Sequence, residues 1–178
     1  SVETIIEYTH RLTSGLCGVF CLIAIAWSWR LFGGHSRVTR ASLVVMFFVL
    51  VEGAIGAGLV LQELVADDAS VARAIVISLH LTNTLGLVGA ATLMAWWSPS
   101  PGSMSPIPLG RLWFILGLVA LVFTSMSGAI TALGDTLFPV DMEADIGLTE
   151  RLAQDLSPTQ HFLIRLRILH PLLACVAA

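Results

Sequence analysis

The chain has 178 residues, of which 56% are hydrophobic and 12% charged; its mean hydropathy is +0.88 and its net charge −3. These values exclude a water-soluble globular domain, and no nucleic-acid partner is expected. They describe an integral membrane protein, mostly helical, in which the distribution of charge among the loops says more than its sum.

Apolar residues fall in runs of about 20 or more, the length that crosses roughly 30 Å of hydrocarbon. The predicted spans are 5–29, 41–62, 71–97 and 111–133, with a fifth that opens near His161 and is still apolar at Ala178. The expected fold is therefore an all-α polytopic transmembrane bundle of four complete spans and the start of a fifth. The run of residues 1–29 has no basic leader followed by a short apolar core and a cleavage site, so it does not read as a signal peptide. The chain reads as an excerpt of a longer protein.

Loop charges orient these spans. All nine basic residues are Arg, and the connection 30–40 holds Arg30, Arg37 and Arg40 with no acid. The Pro- and Ser-rich connection 98–110 leads into Arg111. By the positive-inside rule both loops are cytoplasmic. The connection 62–70 carries Glu63, Asp67 and Asp68, and 134–160 carries Asp135, Asp141, Glu143, Asp145, Glu150 and Asp155 against Arg151 alone. These two face outward, as alternation of sides requires.

In the first span Glu7, His10, Ser14, Cys17 and Cys21 follow 3-4-3-4 spacing and share one helical stripe. Such a stripe suits a face turned to a bundle interior, and it also suits plain packing against neighbouring helices. In the third span Arg73, His80 and Thr84 lie on one face with Asn83 beside them. Arg73 can bind a carboxylate in bidentate fashion or extend to the interface. His80 lies nine residues beyond Val71 and His170 nine beyond His161, a depth of roughly 13 Å at 1.5 Å per residue. His10 is near the outward end of its helix, so all three imidazoles belong to the outer half of the bilayer. His35 reads as a solvated cytoplasmic residue and His161 as an interfacial one, within reach of a propionate.

A polar, metal-competent ring in hydrocarbon is a functional candidate by default. One His per helix suits axial ligation of a heme iron better than a zinc site, which gathers three or four ligands. Small residues offer room for a flat macrocycle and for close helix approach: Gly53, Gly56 and Gly58 in the second span, Ser125, Gly128 and Ala132 in the fourth. Glu52, near the middle of the second span, is expected to be protonated or hydrogen-bonded to a neighbouring helix, with a structural role favoured over a catalytic one. Cys17, Cys21 and Cys175 match no zinc spacing and predict no disulfide.

Three runs carry a resemblance: Glu7-Tyr8-Thr9-His10-Arg11-Leu12; residues 51–61 leading to Leu79-His80-Leu81; and Gly128-Ala129-Ile130 leading to Phe138-Pro139. Together they resemble the heme A synthase family of the COX15/CtaA type, with Glu-x-x-His-Arg the most specific element. The resemblance implies eight spans in two pseudo-symmetric four-helix halves, of which this chain holds the second span to the sixth. Residues 1–97 then belong to the substrate-heme half, 98–110 form a cytoplasmic linker, and 111–178 begin the heme b half. An internal echo agrees, since the run 166–172 can be laid over the run around His10, placing His170 on His10. In that copy Arg167 replaces Glu7 and Pro171 replaces Arg11, a departure that is compatible with ligation and leaves no following Arg to take a role. The outward-loop cysteine pair of many members is also absent from these residues.

The implied activity is oxidation of the heme O ring methyl to the formyl group of heme A by two successive hydroxylations, serving heme-copper oxidase biogenesis. Carried over by position, His10 and His80 face the substrate heme, with Arg11 in the substrate-binding set. His170 is one axial ligand of a heme b cofactor, whose other ligand is expected in the eighth span. Glu7, one turn from His10, is implied as a general base or electrostatic stabiliser; its alternative is to orient His10 or to balance Arg11. The implied setting is a bacterial plasma membrane with the heme sites toward its outer face. Heme O, heme O synthase, other oxidase-assembly proteins and a second copy of the chain are the expected partners. The alternative from another class is a bis-His membrane b-type cytochrome relaying electrons from quinol, and a third is a scaffold without heme.

Overall fold

The structure, a computed structural model, describes residues 2–65, 68–99, 111–139 and 147–177. Its elements are α1 (Val2–Phe32), α2 (Arg37–Leu61), α3 (Val71–Trp97), α4 (Arg111–Leu137), α5 (Leu148–Asp155), α6 (Phe162–Leu166) and α7 (Leu169–Ala177). There is no strand among the described residues, and α1 to α4 are each long and apolar enough to cross a membrane. The protein is thus an all-α, polytopic integral membrane protein. Most apolar side chains of these spans are exposed, as expected of surfaces whose solvent is lipid.

The five Trp residues fall at the helix ends assigned to the cytoplasmic side: Trp27 and Trp29 close α1, Trp96 and Trp97 close α3, and Trp113 lies in the first turn of α4. Indole rings favour the headgroup level, which suits these helix ends. The acids Asp67, Asp141, Glu143 and Asp145 of the outward loops lie outside the described residues, as does most of the linker 98–110.

Two compact units divide the chain, 1–57 with 83–106 and 58–82 with 107–178, so α2 and α3 each contribute to both. In the first unit α1 ends on Gly33, whose φ of 79° is the left-handed conformation that closes a helix, and its N–H donates to the Trp29 carbonyl at 2.9 Å. Ser36 then caps α2, its Oγ accepting from the Thr39 N–H at 3.1 Å, while the fully buried Thr39 hydroxyl donates to the Gly33 carbonyl at 2.9 Å. One turn further the buried Ser28 and Ser42 hydroxyls meet at 3.0 Å, tying α1 to α2. The close approach of α2 and α3 is at Gly86, where an added Cβ would stand 2.6 Å from the Phe48 ring. At Gly53, Gly56 and Gly58, where the sequence predicted both room and close helix approach, an added Cβ has nothing within 4 Å, so the space is open and no neighbouring helix approaches closely.

The core of the second unit is Leu163, fully buried, with Ala74 and Leu133, flanked by Ile77, Ile130, Phe138 and Phe162. Gly134 permits it, since a Cβ there would stand 3.1 Å from the Leu163 carbonyl. α3 starts on Ser70, whose Oγ accepts from the Arg73 N–H at 3.1 Å and donates to Asp68 at 2.7 Å.

Two features depart from the predicted elements. α4 continues to Leu137, one turn past the expected end, and α5 occupies part of what read as an outward loop. The fifth span is not one helix: it breaks at Arg167 and Ile168 into α6 and α7. Pro171 supplies the reason, because it has no N–H to donate to the Arg167 carbonyl four residues back and its ring crowds that carbonyl. Proline is tolerated in the first turn of the helix it opens, where Pro171 now stands.

Candidate heme site

His170 is the second residue of α7 and half-buried against α4. Its Nδ1 lies 3.1 Å from the Thr124 carbonyl and 3.1 Å from Ser127 Oγ. A carbonyl only accepts, so Nδ1 carries the proton. The Ser127 hydroxyl gives its own hydrogen to the same carbonyl at 2.7 Å, and so accepts from Nδ1. The proton is therefore fixed on Nδ1, and Nε2 is left with its lone pair outward from the ring. That is the tautomer of a metal-binding imidazole, in which a backbone carbonyl holds the far nitrogen. Gly128 makes the approach possible: an added Cβ would stand 3.0 Å from Cε1 and 3.5 Å from Nε2 of this ring. Donor, tautomer and cradle thus fit an axial iron ligand.

His161 has the opposite arrangement. It caps α6, its Nδ1 accepting from the Leu163 N–H at 3.3 Å, and its ring stacks on Phe138 and Phe162 with centroids 4.8 and 4.6 Å away. The proton must then sit on Nε2, so neither nitrogen offers a free lone pair while the cap holds.

On α1 the polar stripe is laid out along one face, and all residues from Thr4 to Cys17 are exposed. The tie between α1 and α2 lies at Ser28 and Ser42, near the other end of the helix, so within the first unit no described element covers His10. Glu7 is paired: Arg11 Nη2 donates to its Oε1 at 2.5 Å, one turn along the helix. The charge-balancing role that the sequence left open for Glu7 is thus occupied by Arg11. Cys17, Cys21 and Cys175 are free thiols.

His80 is half-buried, with Nδ1 shielded from solvent, and belongs to the second unit, whereas His10 belongs to the first. Arg73 turns toward the outward loop, Nη1 donating to the Asp68 carbonyl at 2.8 Å. Of its two sequence-level alternatives, extension to the interface describes this contact. His35 is exposed between α1 and α2. Glu52 accepts from Asn83 Nδ2 and, at 2.5 Å, from the Thr84 hydroxyl; Asn83 also donates to the Phe48 carbonyl at 2.9 Å. The carboxyl in mid-span is thus hydrogen-bonded to the neighbouring helix, one of its two expected states.

Sequence reasoning missed Thr124 and Ser127 as the partners of His170 and Arg167 as a capping cation. A serine one turn past a threonine in an apolar helix was the available signal. An apolar cleft of about 360 Å³ lined by Phe20, Trp27, Phe32, Val38 and Met94 lies farther along α1, 10 residues or more past His10 and so roughly 15 Å or more away. It is separate from that imidazole. Among the described residues no group of three or more His, Cys, Asp or Glu side chains is gathered for a metal.

Comparison with known proteins gives a family and several relatives. The model of the COX15-CtaA family, described as cytochrome oxidase assembly protein, matches residues 1–178. A Thermus thermophilus protein named Protoheme IX farnesyltransferase is 46% identical over 176 residues, covering 97% of this chain and 28% of that protein. Proteins named Heme A synthase align over a shorter part: that of Halalkalibacterium halodurans is 41% identical over 61 residues, 34% of this chain and 20% of its own length. That of Geobacillus kaustophilus is 46% identical over 59 residues, 33% and 18%. The chain spans little more than a quarter of the Thermus relative. No solved structure matches it significantly. With helices that fit a bilayer and a family match along its whole length, the chain belongs to the COX15-CtaA family of cytochrome oxidase assembly proteins.

Proposed function

We propose that this chain is part of a heme A synthase, an oxidoreductase that converts the ring methyl of heme O to the formyl group of heme A. The observation that carries the reading is the fixed tautomer of His170, protonated on Nδ1 by its bond to the Thr124 carbonyl, with Nε2 left to ligate iron. The names of the Halalkalibacterium and Geobacillus relatives support the substrate.

The Thermus relative bears a transferase name, and two considerations reconcile it. The shares covered imply that it is about twice as long as the Heme A synthases, so there is room for a second catalyst outside the aligned part. Farnesylation of protoheme IX also makes the kind of heme that the proposed oxidation consumes. A physical link between the two steps would keep an insoluble intermediate from leaving the membrane. Heme O synthase is accordingly proposed as a partner, with other oxidase-assembly proteins and a second copy of the chain.

In this reading residues 1–97 contribute to a substrate half and 111–178 to a cofactor half joined by a cytoplasmic linker. His10 and His80 are each assigned to the substrate heme by the family resemblance. Arg11 keeps the Glu7 carboxylate directed through Oε1, so that Oε2 is the oxygen available to take a proton from the attacking oxygen or to stabilise positive charge developing at the ring carbon. His170 would hold heme b, whose chemistry would be to carry single electrons. Each of two hydroxylations bonds a water oxygen to the methyl carbon and releases two protons and two electrons, the electrons passing to an external acceptor, and the resulting diol loses water to leave the aldehyde. Loop charges favour placing these sites toward the outer face, and the bacterial relatives support a plasma membrane as the setting.

The test is the pigment of the complete protein purified in detergent. Heme b together with heme O or heme A supports the enzyme, heme b alone indicates a bis-His cytochrome, and no heme a scaffold. Glu7→Ala should keep the pigment and lose turnover; intact turnover would remove Glu7 from the reaction.

A further inference from the structure

Arg167 stands in the break between α6 and α7, three residues before His170, with a side chain only 11% exposed. Its Nη2 donates to the Gly134 carbonyl at 2.9 Å and to the Phe138 carbonyl, and its Nε stands 2.7 Å from an Asp135 oxygen. The contact to Asp135 is an ion pair by proximity, since Nε is not aligned for a hydrogen bond. All three partners belong to the last turn of α4 or directly follow it. The final carbonyls of a helix have no intrahelical donors, and a cation there also complements the helix dipole.

These ties matter because of what the break removes. A continuous helix would carry the setting of α6 rigidly into α7. Pro171 abolishes the backbone hydrogen bond to the Arg167 carbonyl that would do so. The packing of Leu163 on Gly134 fixes α6 but not the residues after the break. Those residues are held by the packing of α7 along α4 and by side-chain bonding to α4 at two levels: Arg167 at its C-terminal turn, and His170 at Thr124 and Ser127, several residues earlier in that helix. Packing sets how α7 lies on α4, and Arg167 adds the tie nearest the break.

We infer that Arg167 is a positioning residue for His170, substituting a guanidinium clamp on α4 for the helical continuity that Pro171 interrupts. The inference rests on the reading of His170 as an iron ligand. It predicts that the ligand's orientation depends on a side chain that does not itself touch the heme.

The experiment compares Arg167→Ala, Arg167→Lys, Asp135→Asn and His170→Ala in the complete protein in detergent. It measures helical content by circular dichroism, heme b retained per protein, and the low-spin fraction of that heme by electron paramagnetic resonance. At equal helical content Arg167→Ala should weaken heme retention about 10- to 100-fold, the range for loss of a group that orients a ligand. The residual heme should shift from low toward high spin. Arg167→Lys, which keeps a cation beside Asp135 and a donor for one carbonyl, should recover most of the low-spin signal. Asp135→Asn should fall between. A wild-type spectrum in Arg167→Ala, or a loss that Lys does not recover, overturns the inference. Where Arg167→Ala does not accumulate, Arg167→Gln takes its place under the same criteria. His170→Ala separates the two levels: if it keeps the low-spin signal, the ligand assignment itself fails, whereas if it loses that signal while the Arg167 variants keep it, only the positioning role fails.

Discussion

Replacing Gly128 with Ala isolates the cradle of His170. The new Cβ would stand 3.0 Å from Cε1, 3.3 Å from Nδ1 and 3.5 Å from Nε2, so the ring must retreat by several tenths of an ångström. Its bonds to the Thr124 carbonyl and Ser127 Oγ are already 3.1 Å, and that retreat carries them toward the limit of useful length. Overpacking of this kind costs about 1–3 kcal/mol. Alanine in place of a mid-helix glycine returns up to about 1 kcal/mol of helix propensity. The net loss of stability is therefore small, about 0–2 kcal/mol, but the displacement of the imidazole remains. Gly117→Ala on the same helix is the control, because a Cβ there meets nothing within 4 Å. The assay is heme b per purified protein by the pyridine hemochrome spectrum, with thermal unfolding in parallel. A difference of about 1–3 kcal/mol between the two variants corresponds to roughly 5- to 150-fold in heme retention. If Gly128→Ala binds heme and melts as Gly117→Ala does, the steric account of the His170 cradle is wrong.

Three further expectations concern the scaffold. Glu52→Ala strips Asn83 and Thr84 of their shared acceptor and should destabilise the protein by about 1–3 kcal/mol in detergent melts, while Glu52→Gln, which still accepts one bond, should lose less than half as much. Leu163→Ala empties the fully buried centre of the second unit and should cost about 2–5 kcal/mol, read as a large fall in melting temperature; an unchanged temperature would show that this core does not hold the unit together. Pro171→Ala should let α6 and α7 fuse, raising helical ellipticity slightly and slowing hydrogen exchange at 167–171; unchanged exchange would assign the break to something other than proline.

Much of the architecture could be read from residue order because the bilayer imposes it. Lipid offers the backbone no hydrogen bonds, so an apolar run of sufficient length must be helical. That constraint placed α3 at its observed ends and α1, α2 and α4 within about a turn of theirs. Loop arginines and acids predict an orientation. His170 stood out as a ring too polar for its surroundings.

What residue order left undecided were matters of contact. Nothing in the spacing of Thr124, Ser127 and His170, with more than 40 residues between the pair and the imidazole, reveals that a carbonyl fixes the imidazole proton. His161 and His170 look alike as letters, yet one spends its Nδ1 lone pair on a helix cap and the other keeps its Nε2 lone pair. Glu7 could serve as base or counter-ion by position, and only the structure shows Arg11 on it. Helical periodicity is a local property, set by backbone hydrogen bonds within a few residues. Proton location and ligand orientation depend on groups brought together from separate helices, and these were decided only when the chain packed.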